Sequence, residues 1–308
     1  MRTSTRPGAL VVLTILVATI LAACTTGPGA TPSPTAAATP SPATSVAPTA
    51  DACSKDSLAT TTAGKLTIGA DNPAFPPYFD PDPADPAWEL GNPNNGKGFE
   101  SAVAYAVAEK LGFAQGDVTW VVVPFNAAIG PGDKEFDLYL SQVSFNEERA
   151  GAVDLSDGYF DLNQTVIALA DNPIANVTTV EGLKAFRLGA PSGTTSYDYI
   201  VENIQPTQDA SAYNSLDEAI AGLSAKQIDG VIVDLPTAFF ATAVQLENGK
   251  IVGTLPTVGE VEHFSIVLDM DSPLTDCVND ALGALKTDGE LEAITDEWIT
   301  GQGAPALE

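Results

Sequence analysis

Arg149 is the residue in this sequence best suited to holding an anion. It follows Ser141, Gln142 and Ser144, which close the short apolar run Phe136–Leu140, and it precedes Val153-Asp154-Leu155-Ser156. A guanidinium forks onto a carboxylate with two parallel hydrogen bonds, which a lysine cannot do. The hydroxyls and the amide stand where a predicted strand ends. Open α/β folds gather ligands at such strand ends. The stretch therefore reads as half of a pocket for a small carboxylate.

Three other places carry polar chemistry. Leu188-Gly189-Ala190-Pro191-Ser192-Gly193-Thr194-Thr195 reads as a strand, a glycine turn and a helix start. Free backbone N–H groups there suit an anion, and the hydroxyls equally suit a helix cap. Asp234 closes the apolar run Gly230–Val233 and stands two residues before Pro236. From the residues alone it is a helix cap with proline in the first turn. Glu100 opens an amphipathic helix with apolar Phe99, Val103, Val107 and Leu111, and reads as a helix-start charge favoured by the dipole. With one histidine and three cysteines, no His/Cys metal cluster is expected. No nucleophile–base pair stands out, so no catalytic residue and no cofactor is expected.

The spacing Gln142-Val143-Ser144-x-x-x-x-Arg149, followed by Val153-Asp154-Leu155-Ser156, resembles the extracytoplasmic solute-binding proteins of family 3. These are the amino-acid-binding components of ABC importers, and the likeness extends from about Leu66 to Trp298. It implies a two-lobed α/β fold of the type II periplasmic-binding-protein kind, with two crossover strands joining the lobes. It also implies roles: Arg149 and Ser144 with Thr195 for the ligand carboxylate, Asp234 for its ammonium, Phe75 and Phe125 as walls for its side chain. Gln142 stands where many members have glycine, so its amide is expected to project toward the ligand. Pro191 replaces a lysine found in some members. With no charge clearly facing the ligand side chain, an uncharged polar or small amino acid is expected. The partner implied is a membrane permease, with the protein acting as a monomer. A sensory module and a dehydratase on the same fold are the alternatives.

The elements that must position these residues alternate between strand and helix, as in a parallel-rich α/β protein. Met1–Ala23 has a basic start and an apolar stretch, and ends Leu21-Ala22-Ala23-Cys24. This predicts a lipoprotein signal peptide with Cys24 lipidated, hence an extracytoplasmic protein anchored to the cell membrane. Residues 24–51, rich in Pro, Ala and Thr, are expected to be a disordered tether. Lobe 1 is expected over 52–162 and 262–308, with 304–308 as a tail, and lobe 2 over 163–261. Cys53 and Cys277 then remain as an even pair, which suggests a disulfide. Trp88 reads as either a lid or a local anchor. The net charge of −27 argues against nucleic acid or an anionic membrane surface as partner.

Overall fold

The computed structural model describes residues 52–299 and 304–307. The signal segment, Cys24 and the tether lie outside the described residues. The strands run β1 (Leu66–Ala70), β2 (Val118–Val122), β3 (Leu138–Tyr139), β4 (Asp154–Leu155), β5 (Phe160–Asp161), β6 (Gln164–Leu169), β7 (Leu188–Pro191), β8 (Ser211–Tyr213), β9 (Gly230–Asp234), β10 (Gly249–Thr254), β11 (His263–Phe264) and β12 (Val267–Leu268).

Two five-stranded sheets result, ordered β2-β1-β3-β12-β4 and β10-β6-β9-β7-β8. In the first, β1 lies parallel to β2 and β3, while β12 runs antiparallel to β3 and β4. In the second, β7 is parallel to β8 and β9, while β6 is antiparallel to β9 and β10. The chain leaves the first sheet through β5 and returns through β11, and these two strands pair antiparallel. The two lobes are joined by that ribbon.

Side-chain alternation along the strands explains the cores. Ile68, Leu138 and Leu140 point to one face of the first sheet and pack with Val103, Val107, Val278 and Leu282 from helices 99–110 and 275–288. Tyr139, Val143 and Val267 point to the other face and meet Phe136 and Val153. Successive residues of a strand face opposite sides, so one strand serves two cores. The second sheet does the same: Val166, Ala168 and Ile232 serve one face, Ile167, Val231 and Val233 the other. Trp88 is buried in the first lobe's core, an anchor for the 80–96 loop. Cys53 and Cys277 are bonded, with Cα atoms 5.3 Å apart and 224 residues between them in sequence.

The C-terminal residues depart from the expected tail on lobe 1. Residues 304–307 lie along β10, the edge of the second sheet. Thr254 N–H donates to Pro305 O at 2.7 Å and Leu307 N–H to Thr254 O at 2.8 Å. Leu307 is buried in the second lobe's core beside Val252 and Leu255. The physical reason is the edge itself: β10 offers unpaired backbone groups, and a strand edge is satisfied by a neighbouring segment.

Two stability measurements check these attachments. Leu307→Ala removes a buried side chain and is expected to cost about 2–3 kcal/mol in denaturant unfolding, without loss of secondary structure. Reducing the Cys53–Cys277 bond is expected to lower stability by up to about 4–5 kcal/mol on the loop-entropy argument.

Candidate functional site

A cavity of about 280 Å³ lies between the two sheets, and Phe75, Phe125, Gln142, Ser144, Arg149, Thr195 and Asp234 all line it. The seven residues come from six separate stretches of the chain. Phe75 stands in the proline-rich loop after β1, and Phe125 opens a short helix, 125–129, after β2. Gln142 and Ser144 follow β3, and Arg149 lies in the turn of helix 147–150. Thr195 begins helix 195–199 after β7, and Asp234 ends β9.

Arg149 is 5% exposed. One guanidinium N–H donates to the Ser144 carbonyl, and another reaches across to the Gly193 carbonyl of the second lobe at 2.7 Å. The Phe125 ring lies 5.4 Å from the guanidinium carbon. Among the described residues no carboxylate forms an ion pair with it, and burial holds its pKa below the ordinary arginine value. Only two of its five donors have these carbonyl partners. Gly193 has φ +77, and a Cβ there would fall 2.8 Å from Asn126 Oδ1 of the first lobe. Glycine is needed at this close approach.

Asp234 carries the opposite charge. It caps helix 235–240, accepting from Thr237 N–H and from the Thr237 hydroxyl, each at 2.8 Å. The Tyr78 hydroxyl donates to the same carboxylate from the first lobe. Burial raises its pKa, against the opposing effect of these donors. No lysine or arginine pairs with it among the described residues. The cap and the cleft-facing acid are thus one residue, since a carboxylate has acceptor sites for both.

Two of these residues have partners that lie far away in the sequence. Thr195 does line the cavity, but its hydroxyl donates to Glu262 at 2.5 Å, and the cap of its helix is Thr194. Gln142 also lines the cavity, and its amide nitrogen is held by Glu100. Its backbone is left-handed, with φ +50.

Sequence reasoning passed over three residues. Glu100, read only as a helix-start charge, is 0% exposed and accepts from Gln142 N–H at 2.7 Å and from the Tyr159 hydroxyl at 2.6 Å. Tyr78 stands in the proline-rich loop after β1, and only the partner 156 residues away gives it meaning. Asp71 lines the cavity, accepts from Asn72 N–H at 2.9 Å and has its pKa raised by burial. It too has no cationic partner among the described residues. Its signal was its place at the end of β1, the same strand-end logic that singled out Ser141.

The sequence model of the bacterial extracellular solute-binding proteins, family 3, matches residues 80–301. The chain belongs to that family. One similar protein is "ABC transporter arginine-binding protein 1" of Escherichia coli (strain K12), 26% identical over 79% of this chain and 94% of that protein. Other relatives of this family member are named for cystine, histidine and glutamine binding. Among solved structures, an ancestral arginine-binding protein bound to arginine superposes with a TM-score of 0.61 at 25% identity, covering 76% of this chain and 98% of the other. The ancestral amino acid-binding protein AncCDT-1, a precursor of cyclohexadienyl dehydratase, shares the fold with a TM-score of 0.60 at 22% identity over 77% and 95% of the two chains. The fold of this family member is the two-lobed type II kind, and the named curated relatives are binding proteins.

The buried acid behind the cavity makes a pH prediction. Burial raises Glu100 to about 7 from an ordinary 4.5. Between those values the native state holds a proton that the unfolded chain has released. Stability is therefore expected to fall as pH rises through that window, by at most about 3 kcal/mol. Denaturant midpoints for Glu100→Gln, followed across the same range, should lack this slope.

Proposed function

We propose that this protein binds an α-amino acid in the interlobe cavity and delivers it to an ABC importer permease. One observation carries the reading. The cavity is lined from one lobe by a buried arginine and from the other by a half-buried carboxylate, and among the described residues neither forms an ion pair. A zwitterion satisfies both. Arg149 takes the carboxylate as a fork, aided by the backbone around Ser144 and Thr195, and Asp234 takes the ammonium. Phe75 and Phe125 flank the ligand side chain. Each lobe supplies one charge, so the ligand favours the closed arrangement by its differential affinity.

Asp71 alters the expectation for the ligand. It adds a second unpaired carboxylate to the cavity lining, beside two aromatic rings. An acid next to an aromatic wall suits a cationic or donor-rich side chain better than a small uncharged one. The arginine-binding names of the relatives support the same choice. Recognition proceeds without bond-making. Around this core, lobe 1 consists of 52–162 with the returning segment from 262, and lobe 2 of 163–261. The monomeric protein works outside the cytoplasm, held to the membrane by a lipid on Cys24.

A thermal-shift panel tests this. The chain from Ala52 onward, unfolded and refolded to remove carried ligand, is to be screened against the twenty L-amino acids and their decarboxylated amines. At a hundredfold excess over the dissociation constant, stabilisation should be about 2.7 kcal/mol. Shifts are expected with arginine or lysine, absent with the amines and lost in Arg149→Ala. Asp71→Asn should weaken the basic ligands about tenfold or more while sparing glutamine. A folded protein that responds to no amino acid would falsify the assignment.

A further inference from the structure

Glu100 is fully buried at the start of helix 99–110, outside the cavity wall. Its two oxygens receive three donors: Gln142 N–H at 2.7 Å, Gln142 Nε2–H, and the Tyr159 hydroxyl at 2.6 Å. Two of the three belong to a single residue 42 positions away, and that residue lines the cavity. Gln142 also holds φ +50, a conformation that side-chain-bearing residues adopt at a cost. A buried carboxylate gripping both the backbone and the side chain of one residue offsets that cost.

The grip has a chemical consequence. An ionised carboxylate only accepts hydrogen bonds. It can hold the nitrogen end of the Gln142 carboxamide and not the oxygen end. The oxygen is then turned away from Glu100, as an acceptor. A protonated Glu100 can donate, and would hold the amide with either end. The state of a residue outside the cavity thus decides whether the cavity wall presents an acceptor or a donor.

We propose that Glu100 is a positioning residue that clamps Gln142, so that the amide oxygen is offered to the donor groups of the bound amino acid. This deepens the amino-acid reading and rests on it for the identity of the ligand. The titratable groups facing Glu100 are Tyr159 from the approach to β5, Tyr78 from the proline-rich loop, Tyr139 from β3 and Asp234 from the second lobe. No lysine or arginine forms an ion pair with it among the described residues. The buried acid therefore titrates near neutrality, at about 7. A ligand ammonium brought next to Asp234 favours the ionised form, so binding releases a proton around that pH.

Calorimetry with L-arginine across roughly pH 5.5 to 8.5, in two buffers of different ionisation enthalpy, reads this coupling. The wild type should bind about tenfold more tightly at the upper end, with net proton release near neutrality. Glu100→Gln cannot ionise and should flatten the profile and abolish the release. Glu100→Asp should restore part of the pH dependence. Gln142→Ala, which leaves Glu100 in place, should weaken binding at the upper end to the wild-type level at the lower end. A folded Glu100→Gln with the wild-type profile, or a Gln142→Ala with unchanged affinity, overturns the proposal. A ligand-free readout separates it from the functional reading: the Gln142 side-chain NH₂ resonances of the wild type should titrate near neutrality. If they titrate and no amino acid binds, the ligand assignment falls and the clamp stands. If they do not titrate, the clamp falls whatever the protein binds.

Discussion

Two unpaired charges of opposite sign face one cavity from the two lobes of this protein, and most of the site follows from that. Arg149 is buried with carbonyl oxygens as its hydrogen-bond partners, and Asp234 with hydroxyl and backbone donors as its own. An unpaired buried ion costs several kcal/mol even after relaxation. Polar neighbours lower that cost without cancelling the charge. The arrangement is least favourable when empty and most favourable when a molecule with both charges occupies it.

The lobes meet through the groups that hold these charges. Arg149 of the first lobe donates to the Gly193 carbonyl of the second, and Tyr78 of the first donates to Asp234 of the second. A side chain at Gly193 would push the Asn126 amide aside and would hold a left-handed backbone, so glycine lets the two lobes approach here. Opening the β5–β11 ribbon would break these contacts together. The aromatic packing of Tyr78, Tyr159 and Phe264 behind them keeps the first lobe's half of the cavity in place.

Local signals in the sequence were read correctly where the physics is local. Asp234 caps the helix that starts at Leu235, with Pro236 in its first turn, as the residues alone indicate. They say less where a partner lies far along the chain. The Thr194–Thr195 stretch supplies the expected cap through Thr194, while the Thr195 hydroxyl is taken by Glu262, 67 residues later. Glu100 resembles a surface charge, yet a tyrosine and a glutamine from two other segments receive it in the core. Helix-start acids are usually exposed, and nothing within a few residues of Glu100 marks it as different.

The sequence by itself determined the alternation of strands and helices, the family motif around Arg149, and the residue types able to hold a carboxylate, an ammonium and a side chain. These depend on periodicity, on caps and on spacing within one segment, all of which are short-range. Only the tertiary structure decided that Asp71 joins the cavity, that Gln142 is clamped rather than free, and that the C-terminal residues complete the second lobe's sheet edge. Burial and hydrogen-bond partnership are properties of the packed chain. An acid's charge state, and an amide's direction, are fixed by neighbours that the order of residues does not name.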